Sequence, residues 1–348
     1  MSDIHIHKIG QAGRITLSRP NALNALSYEM SLKIEDALDK WADDDNIRVV
    51  VIDAAGTKAF CAGGDIADIY ASGTKGDYAY CQKFWADEYR MNAKMFDFPK
   101  PVVTFLQGFT MGGGVGVGCH GSHRIVGDSS QIAMPEVGIG LVPDVGGSYI
   151  LANAPGRLGE FLGLTARRMP AGDAIYAGFA DHYIPEAKWP ELITELQETG
   201  DCKTIEKAAS SAPASELNTL QSTIDSHFDK ETLSDVVKSL QADDSEFAVK
   251  TLKTIGRNSP LAMACALEII HRNRATTGVQ SALQQEYRFT YRATEHSDFL
   301  EGIRAAIIDK DRAPKWQHSL ETLPMQKVAQ MLMPLGDVAL TFEQGELA

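Results

Sequence analysis

Short apolar runs alternate with stretches of helical period over residues 1–190, after which the pattern turns to polar, amphipathic helix. The segments Gly13–Leu17, Val49–Ile52, Val102–Leu106 and Arg124–Val126 predict strands. The unbroken run Val49-Val-Val-Ile52 reads as a parallel strand buried on both faces, because a half-exposed strand would alternate. Met30, Ile34, Leu38 and Trp41 recur near the 3.6-residue period and predict a helix over 27–42, with Ser27 able to cap its first turn. A further helix is expected over 171–179, leading into Asp181-His-Tyr-Ile184. From Trp189 to about Glu268, Asp, Glu, Lys and Ser dominate, yet their amphipathic spacing argues for ordered helices rather than disorder. The fold class expected is α/β (α+β), with a core over residues 1–190, a helical region over 191–348, and the residues after Pro334 loosely held.

Glycines concentrate behind two of these strands. Lys58-Ala-Phe-Cys-Ala-Gly-Gly-Asp65 follows the first, and Gln107-Gly-Phe-Thr-Met-Gly-Gly-Gly114 follows the second. Each time a strand passes through a glycine turn into a helix, expected to start at Asp65 as N-cap and near Gly113. Glycine within a helix costs about 1 kcal/mol relative to alanine. The run Gly112, Gly113, Gly114, Gly116, Gly118 and Gly121 therefore calls for close backbone approach, to a ligand or to a packed neighbour. Two such turns can aim two N–H groups at one oxygen and form an oxyanion hole, where losing one donor typically costs about 3 kcal/mol of barrier. An acidic residue follows each of two downstream prolines, Glu136 after Pro135 and Asp144 after Pro143, so carboxylates can stand beside that oxygen. Gly116-Val-Gly-Cys-His-Gly121 has dinucleotide-loop spacing, but it falls inside the expected helix instead of at its start, which argues against a nicotinamide cofactor. No GxxxxGK[ST] loop and no GxSxG elbow occurs, which removes the Walker-type and serine-hydrolase readings.

Charge narrows the classes further. A net charge of −13 over 348 residues argues against nucleic-acid binding in bulk. No apolar stretch approaches the ~20 residues that span a bilayer. The first residues carry no signal-peptide or transit pattern, so a cytoplasmic protein without membrane attachment is expected. Five cysteines (Cys61, Cys81, Cys119, Cys202 and Cys265) are scattered without CxxC spacing, and nine histidines lack ligand spacing, so no metal is expected. His120 and His123 read as packing or surface residues.

The glycine motifs belong to a longer series. Arg19-Pro-Asn-Ala-Leu-Asn-Ala-Leu26, Lys58–Asp65, Gln107–Gly114, Met134-Pro-Glu-Val-Gly-Ile-Gly-Leu-Val-Pro-Asp-Val-Gly-Gly147 and Asp298-Phe-Leu-Glu-Gly-Ile-Arg-Ala-Ala-Ile-Ile-Asp-Lys-Asp311 together resemble the crotonase (enoyl-CoA hydratase/isomerase) superfamily. The resemblance follows family order over almost the whole chain. It implies the crotonase fold, a ββα spiral with a helical C-terminal region, an acyl-CoA substrate, and no cofactor beyond the coenzyme A that the substrate carries. A homo-oligomer, trimer or hexamer, is implied too. Residue by residue, the oxyanion-hole amides would be those of Gly64 and Gly113, and Glu136 the principal catalytic carboxylate with Asp144 beside it. Glu88 would help bind the acyl portion, and Asn24, Lys58 and Ala62 would lie in segments that line coenzyme A.

One departure points to a branch of the superfamily. Hydratases place a glutamate two residues after the glycine triplet, where this chain has Gly116, and a small residue where it has Asp144. That exchange moves the acid from the alkene towards the thioester. The resemblance then implies hydrolysis of short 3-hydroxyacyl-CoA, with 3-hydroxyisobutyryl-CoA of valine breakdown as the expected substrate and 3-hydroxypropionyl-CoA as a second. Glu136 can attack the carbonyl directly or activate water, and Asp144 can hold the substrate hydroxyl or handle protons; the residues leave both open. An enoyl-CoA hydratase or isomerase, and a non-catalytic acyl-CoA-binding protein, are the alternatives. Coenzyme A is polyanionic and the chain acidic, so local cations must offset the field; Arg19, Lys58, Lys310 and Arg312 are the candidates.

Overall fold

The computed structural model describes residues 2–342. Its strands are β1 (Ile4–Ile9), β2 (Ala12–Leu17), β3 (Val49–Ala54), β4 (Ala59–Cys61), β5 (Val102–Phe105), β6 (Phe109–Met111), β7 (His123–Val126), β8 (Gln131–Ala133), β9 (Met169–Pro170) and β10 (His182–Tyr183). They form a six-stranded sheet in the order β1-β2-β3-β5-β7-β10 and a four-stranded sheet in the order β4-β6-β8-β9. Apart from the β1–β2 hairpin the large sheet is parallel, and β4, β6 and β8 are mutually parallel. The chain thus visits the large sheet, then the small sheet, then a helix, and does so repeatedly. This is the spiral of strand–strand–helix units that the resemblance implies.

β3 is buried on both faces. Val50 and Ile52 enter the main core, while Val49 and Val51 meet Val103, Phe105 and Ile125 under the Trp189–Thr199 helix, whose Trp189, Leu192 and Leu196 close the back of the sheet. Full burial of each such side chain contributes about 1.5–3 kcal/mol. The Tyr28–Ala42 helix starts where expected, because the Ser27 side chain accepts from the Met30 N–H at 3.3 Å. It buries Met30, Ile34, Leu38 and Trp41.

Several expected boundaries move for physical reasons. Asp65 does not cap the next helix, which runs Ala67–Gly73; its carboxylate is taken by Arg19 at 2.9 Å and its N–H by the Leu26 carbonyl. The helix expected over 171–179 ends at Tyr176, where Gly178 turns left-handed at φ +83° and Phe179 N–H folds back onto the Ala174 carbonyl. The division anticipated near residue 190 falls inside the Trp189–Thr199 helix, and one apolar core runs from Ile4 to Leu340. Residues 335–342 are not loose. Leu340 is buried and its carbonyl accepts from Gln284 at 3.1 Å; residues 343–348 lie outside the described part. Among the described residues no helix is long and apolar enough to cross a membrane.

Candidate active site

Three neighbouring parallel strands end at one place. Gly64 follows β4, Gly113 follows β6 and Glu136 follows β8, so the small sheet delivers all three to one edge. Ligands of parallel sheets commonly bind outside such carboxyl ends. At the first turn Leu26 N–H bonds the Gly63 carbonyl at 2.9 Å and Asp65 N–H bonds the Leu26 carbonyl at 2.8 Å. These bonds flank Gly64 and turn its own N–H away from Leu26. At the second, Gly112 adopts φ +52°, open to glycine without penalty, and Gly113 begins the Gly113–Gly118 helix. Among the described residues neither the Gly64 nor the Gly113 N–H has a backbone acceptor. A Cβ on Gly113 would stand 3.0 Å from the Gly64 nitrogen, so the two turns touch. Close backbone approach is the reason for the glycines, on the packed side as well as the ligand side: a Cβ on Gly114 would lie 2.1 Å from the Cys61 carbonyl oxygen.

Ala62, Gly63, Gly64, Glu88, Gly112, Gly113, Glu136 and Asp144 share one cavity of about 160 Å³, walled by Ile66, Ile69, Phe84, Trp85, Ile139, Leu141, Phe299 and Ile307. That is small beside the roughly 300–1,000 Å³ of drug-sized ligand pockets, and suits a short acyl group. Glu88 arrives from the Tyr78–Phe96 helix and is buried, as are Glu136 and Asp144. Glu88 Oε1 and Glu136 Oε2 have no hydrogen-bond partner, whereas Asp144 accepts from the Tyr89 hydroxyl at 2.8 Å. Among the described residues no cation pairs with any of the three. Burial, then the Asp144 charge, pushes Glu88 up to about 8. Burial and Asp144 likewise raise Glu136 well above the usual carboxylate range. Asp144 is itself raised by burial, against the pull of the Tyr89 hydrogen bond. Burial and mutual repulsion thus favour a single shared proton on the Glu136–Asp144 pair over two charges, so one carboxylate can be ionised while the other holds a proton.

A fourth carboxylate stands behind the third. Glu286, fully buried on the Val279–His296 helix, accepts from the N–H groups of Gly146 at 2.9 Å and Ser148 at 3.2 Å and from the Ser148 hydroxyl. Between Asp144 and Gly146, Val145 sits at φ +53°, a left-handed conformation that costs a β-branched residue about 1–3 kcal/mol. His120 Nε2–H donates to the Val145 carbonyl at 2.7 Å, and burial lowers His120 to about 4, keeping the ring neutral.

A model of the enoyl-CoA hydratase/isomerase family matches residues 12–332. The chain belongs to that family. Relatives of this family member include "3-hydroxyisobutyryl-CoA hydrolase, mitochondrial" of Gallus gallus, 35% identical over 97% of this chain and 90% of that protein. The protein of the same name from Danio rerio is 37% identical over 91% and 86%. Among solved structures, one titled an enoyl-CoA hydratase from Rhodobacter sphaeroides is 54% identical, covers 98% of this chain and all of that one, and superposes with a TM-score of 0.94. One titled a carnitinyl-CoA dehydratase from Mycobacterium thermoresistibile is 38% identical with the same TM-score, covering 99% of this chain and 100% of that one.

Within this family member the remaining expected residues are placed as follows. Gly116 has no room for a side chain: a Cβ would meet Asn92 Nδ2 at 2.7 Å and Val145 Cβ at 2.8 Å. The Asn24 side chain is not available to substrate, because it accepts from Arg19 N–H and donates to the Ala55 and Ala59 carbonyls. Arg19 is likewise spent, on Asp65, Asp3 and the Ala25 carbonyl. Lys58 is exposed and lies outside the acyl cavity. Lys310 and Arg312 are exposed without an ion pair among the described residues, because Arg304 takes the neighbouring Asp309 and Asp311. Tyr89 and Glu286 were invisible in the sequence, where they are ordinary members of amphipathic helices. His120 does pack, as expected, but onto the loop of Asp144.

Proposed function

We propose that this family member hydrolyses the thioester of short 3-hydroxyacyl-CoA, with 3-hydroxyisobutyryl-CoA as its substrate. The observation that carries the reading is the meeting of two unbonded N–H groups, at Gly64 and Gly113, with Glu136 and Asp144 on one small cavity whose position 116 is closed to a second hydratase-type glutamate. The named hydrolase relatives support it. The thioester oxygen sits on the two N–H groups, which stabilise the charge it gains as the carbonyl is attacked. Glu136 supplies the attack, either with its own oxygen to give a mixed anhydride that water then cleaves, or by taking a proton from a water that adds directly. Collapse of the tetrahedral species breaks the C–S bond, and the coenzyme A sulfur leaves as thiolate or takes a proton stored on Asp144. Glu88, bare at Oε1, accepts the hydroxyl of the acyl group. Lys310 and Arg312, exposed and without an ion pair among the described residues, are the cations that meet the phosphates of coenzyme A in this reading.

A second reading has one observation in its favour. The solved structure 54% identical to this chain is titled an enoyl-CoA hydratase, and Glu88 stands with Glu136 in the cavity as a possible second glutamate. One assay separates the two. Thiol release from 3-hydroxyisobutyryl-CoA that falls by about a hundredfold or more in Glu136→Gln, the range typical of a lost acid–base group, supports the hydrolase. Absence of thiol release, with loss of enoyl absorbance on crotonyl-CoA instead, returns the protein to the hydratase branch.

A further inference from the structure

Val145 is the residue of this site whose conformation is hardest to explain. A β-branched side chain at φ +53° is an outlier, and such strain persists only when the surroundings over-determine it. Four hydrogen bonds bracket it. His120 Nε2–H holds the Val145 carbonyl at 2.7 Å from the glycine-helix side. Glu286 holds the next N–H, that of Gly146, at 2.9 Å from the Val279–His296 helix, and Ser148 N–H two residues further on. Gly147 N–H closes onto the Asp144 carbonyl at 2.7 Å. The anchors are themselves fixed. Asn273 donates to the Ser148 hydroxyl at 2.8 Å, and the His120 ring packs edge-on against Phe96 with the Gly146 backbone against its Nε2 edge. None of Glu286, His120 or Ser148 lines the acyl cavity, yet the residue they bend, Val145, does, and Asp144 precedes it directly.

We propose that Glu286 and His120 are positioning residues: they hold the strained Val145 bend from both sides and thereby aim the Asp144 carboxylate into the cavity. Both Glu286 oxygens accept here, because the two N–H groups and the hydroxyl that converge on them are all donors. A glutamine would turn its amide N–H₂ towards one of them. Glu286 therefore works through backbone geometry, while Tyr89 fixes the Asp144 side chain itself. The inference rests on the reading of Asp144 as a participant in thioester cleavage.

The test is a set of four variants assayed for thiol release from 3-hydroxyisobutyryl-CoA with kcat and KM separated: Asp144→Asn, Glu286→Gln, Val145→Gly, and the Glu286→Gln/Val145→Gly double. Asp144→Asn reports on the underlying reading, and full activity there would defeat that reading and this one with it. With Asp144→Asn inactive, Glu286→Gln is expected to lower kcat by about ten- to a hundredfold, as a displacement of about 1 Å can, with little change in KM. Glycine adopts the left-handed bend without strain, so Val145→Gly removes the need for the hold, and its own kcat and KM are the reference against which the double variant is read. Val145→Gly should also restore at least part of the loss in the double variant. A Glu286→Gln kcat equal to that of the native protein, or a double variant no better than Glu286→Gln alone, would overturn the proposal, since a merely structural role predicts no such rescue. Should Glu286→Gln fail to fold, His120→Phe keeps the ring and removes the other hold; it must show the same kcat loss and the same rescue by Val145→Gly, and a native kcat there counts against the proposal equally.

Discussion

Gly116→Ala adds a single methyl group at the position that distinguishes this site from a two-glutamate hydratase. Two effects oppose each other. Within the Gly113–Gly118 helix, alanine in place of glycine gains about 1 kcal/mol. Against this, the new Cβ would lie 2.7 Å from Asn92 Nδ2 and 2.8 Å from Val145 Cβ, both closer than real carbon contacts allow. Asn92 and Val145 are buried, and Val145 is already held in a strained bend, so neither yields cheaply. Overpacking of this kind costs about 1–3 kcal/mol. The net expectation is a loss of up to about 2 kcal/mol, which at roughly 2 °C per kcal/mol in a chain of this size lowers the melting temperature by up to about 4 °C. The functional effect should exceed the stability effect, because the methyl pushes Val145 and with it Asp144; thiol release should fall by about tenfold or more. Thermal unfolding followed by circular dichroism, beside the thiol-release assay, reads both. A variant that is more stable than the native protein and fully active would show that the helix has room at 116. The missing glutamate would then have no steric cause.

Three further predictions concern the same site. Tyr89→Phe removes the donor that holds the Asp144 ionisation down, so the pH dependence of kcat/KM should shift to higher pH; an unchanged profile would separate Tyr89 from the chemistry. Glu88 and Glu286 are raised by burial to about 8, above their unfolded value near 4.3. Folding therefore favours their protonated forms, a contribution present in full below that unfolded value and lost as pH rises through about 8. The urea midpoint should fall between about pH 5 and pH 8, and a rise over that window would contradict the burial argument. Gly302→Ala would place a Cβ 2.0 Å from the Ile139 carbonyl oxygen and force the Phe299–Ile303 helix away from the cavity that Phe299 and Ile307 line, so KM should rise severalfold with a smaller change in kcat; a native KM would mean that this helix does not form the acyl wall.

Most of the scaffold could be read from local pattern. The Val49–Ile52 run, the 3.6-residue period of Met30 to Trp41 and the Ser27 cap are decided by contacts a few residues apart, and the structure follows them. Boundaries that depended on a distant partner moved. Asp65 was a sound N-cap in isolation, but Arg19, forty-six positions earlier, takes its carboxylate. The same holds for Asn24, whose matched loop is present but whose side chain is consumed by the backbone around it.

The chemical groups on offer at the site are legible in the residue order alone: glycine turns after two strands, an acid after each of two prolines, and no side chain at 116. Those features are covalent and local, and they come with motif order intact. The electrostatic environment and aim of the acids come instead from the folded chain. Four carboxylates up to 198 positions apart in the chain share one buried region with no cation paired to them among the described residues, because burial energies depend on what surrounds a group and not on its neighbours in the chain. The strain at Val145 and its restraint by His120 and Glu286 belong to the same class, since φ at a non-glycine residue is imposed by the packing that closes around it.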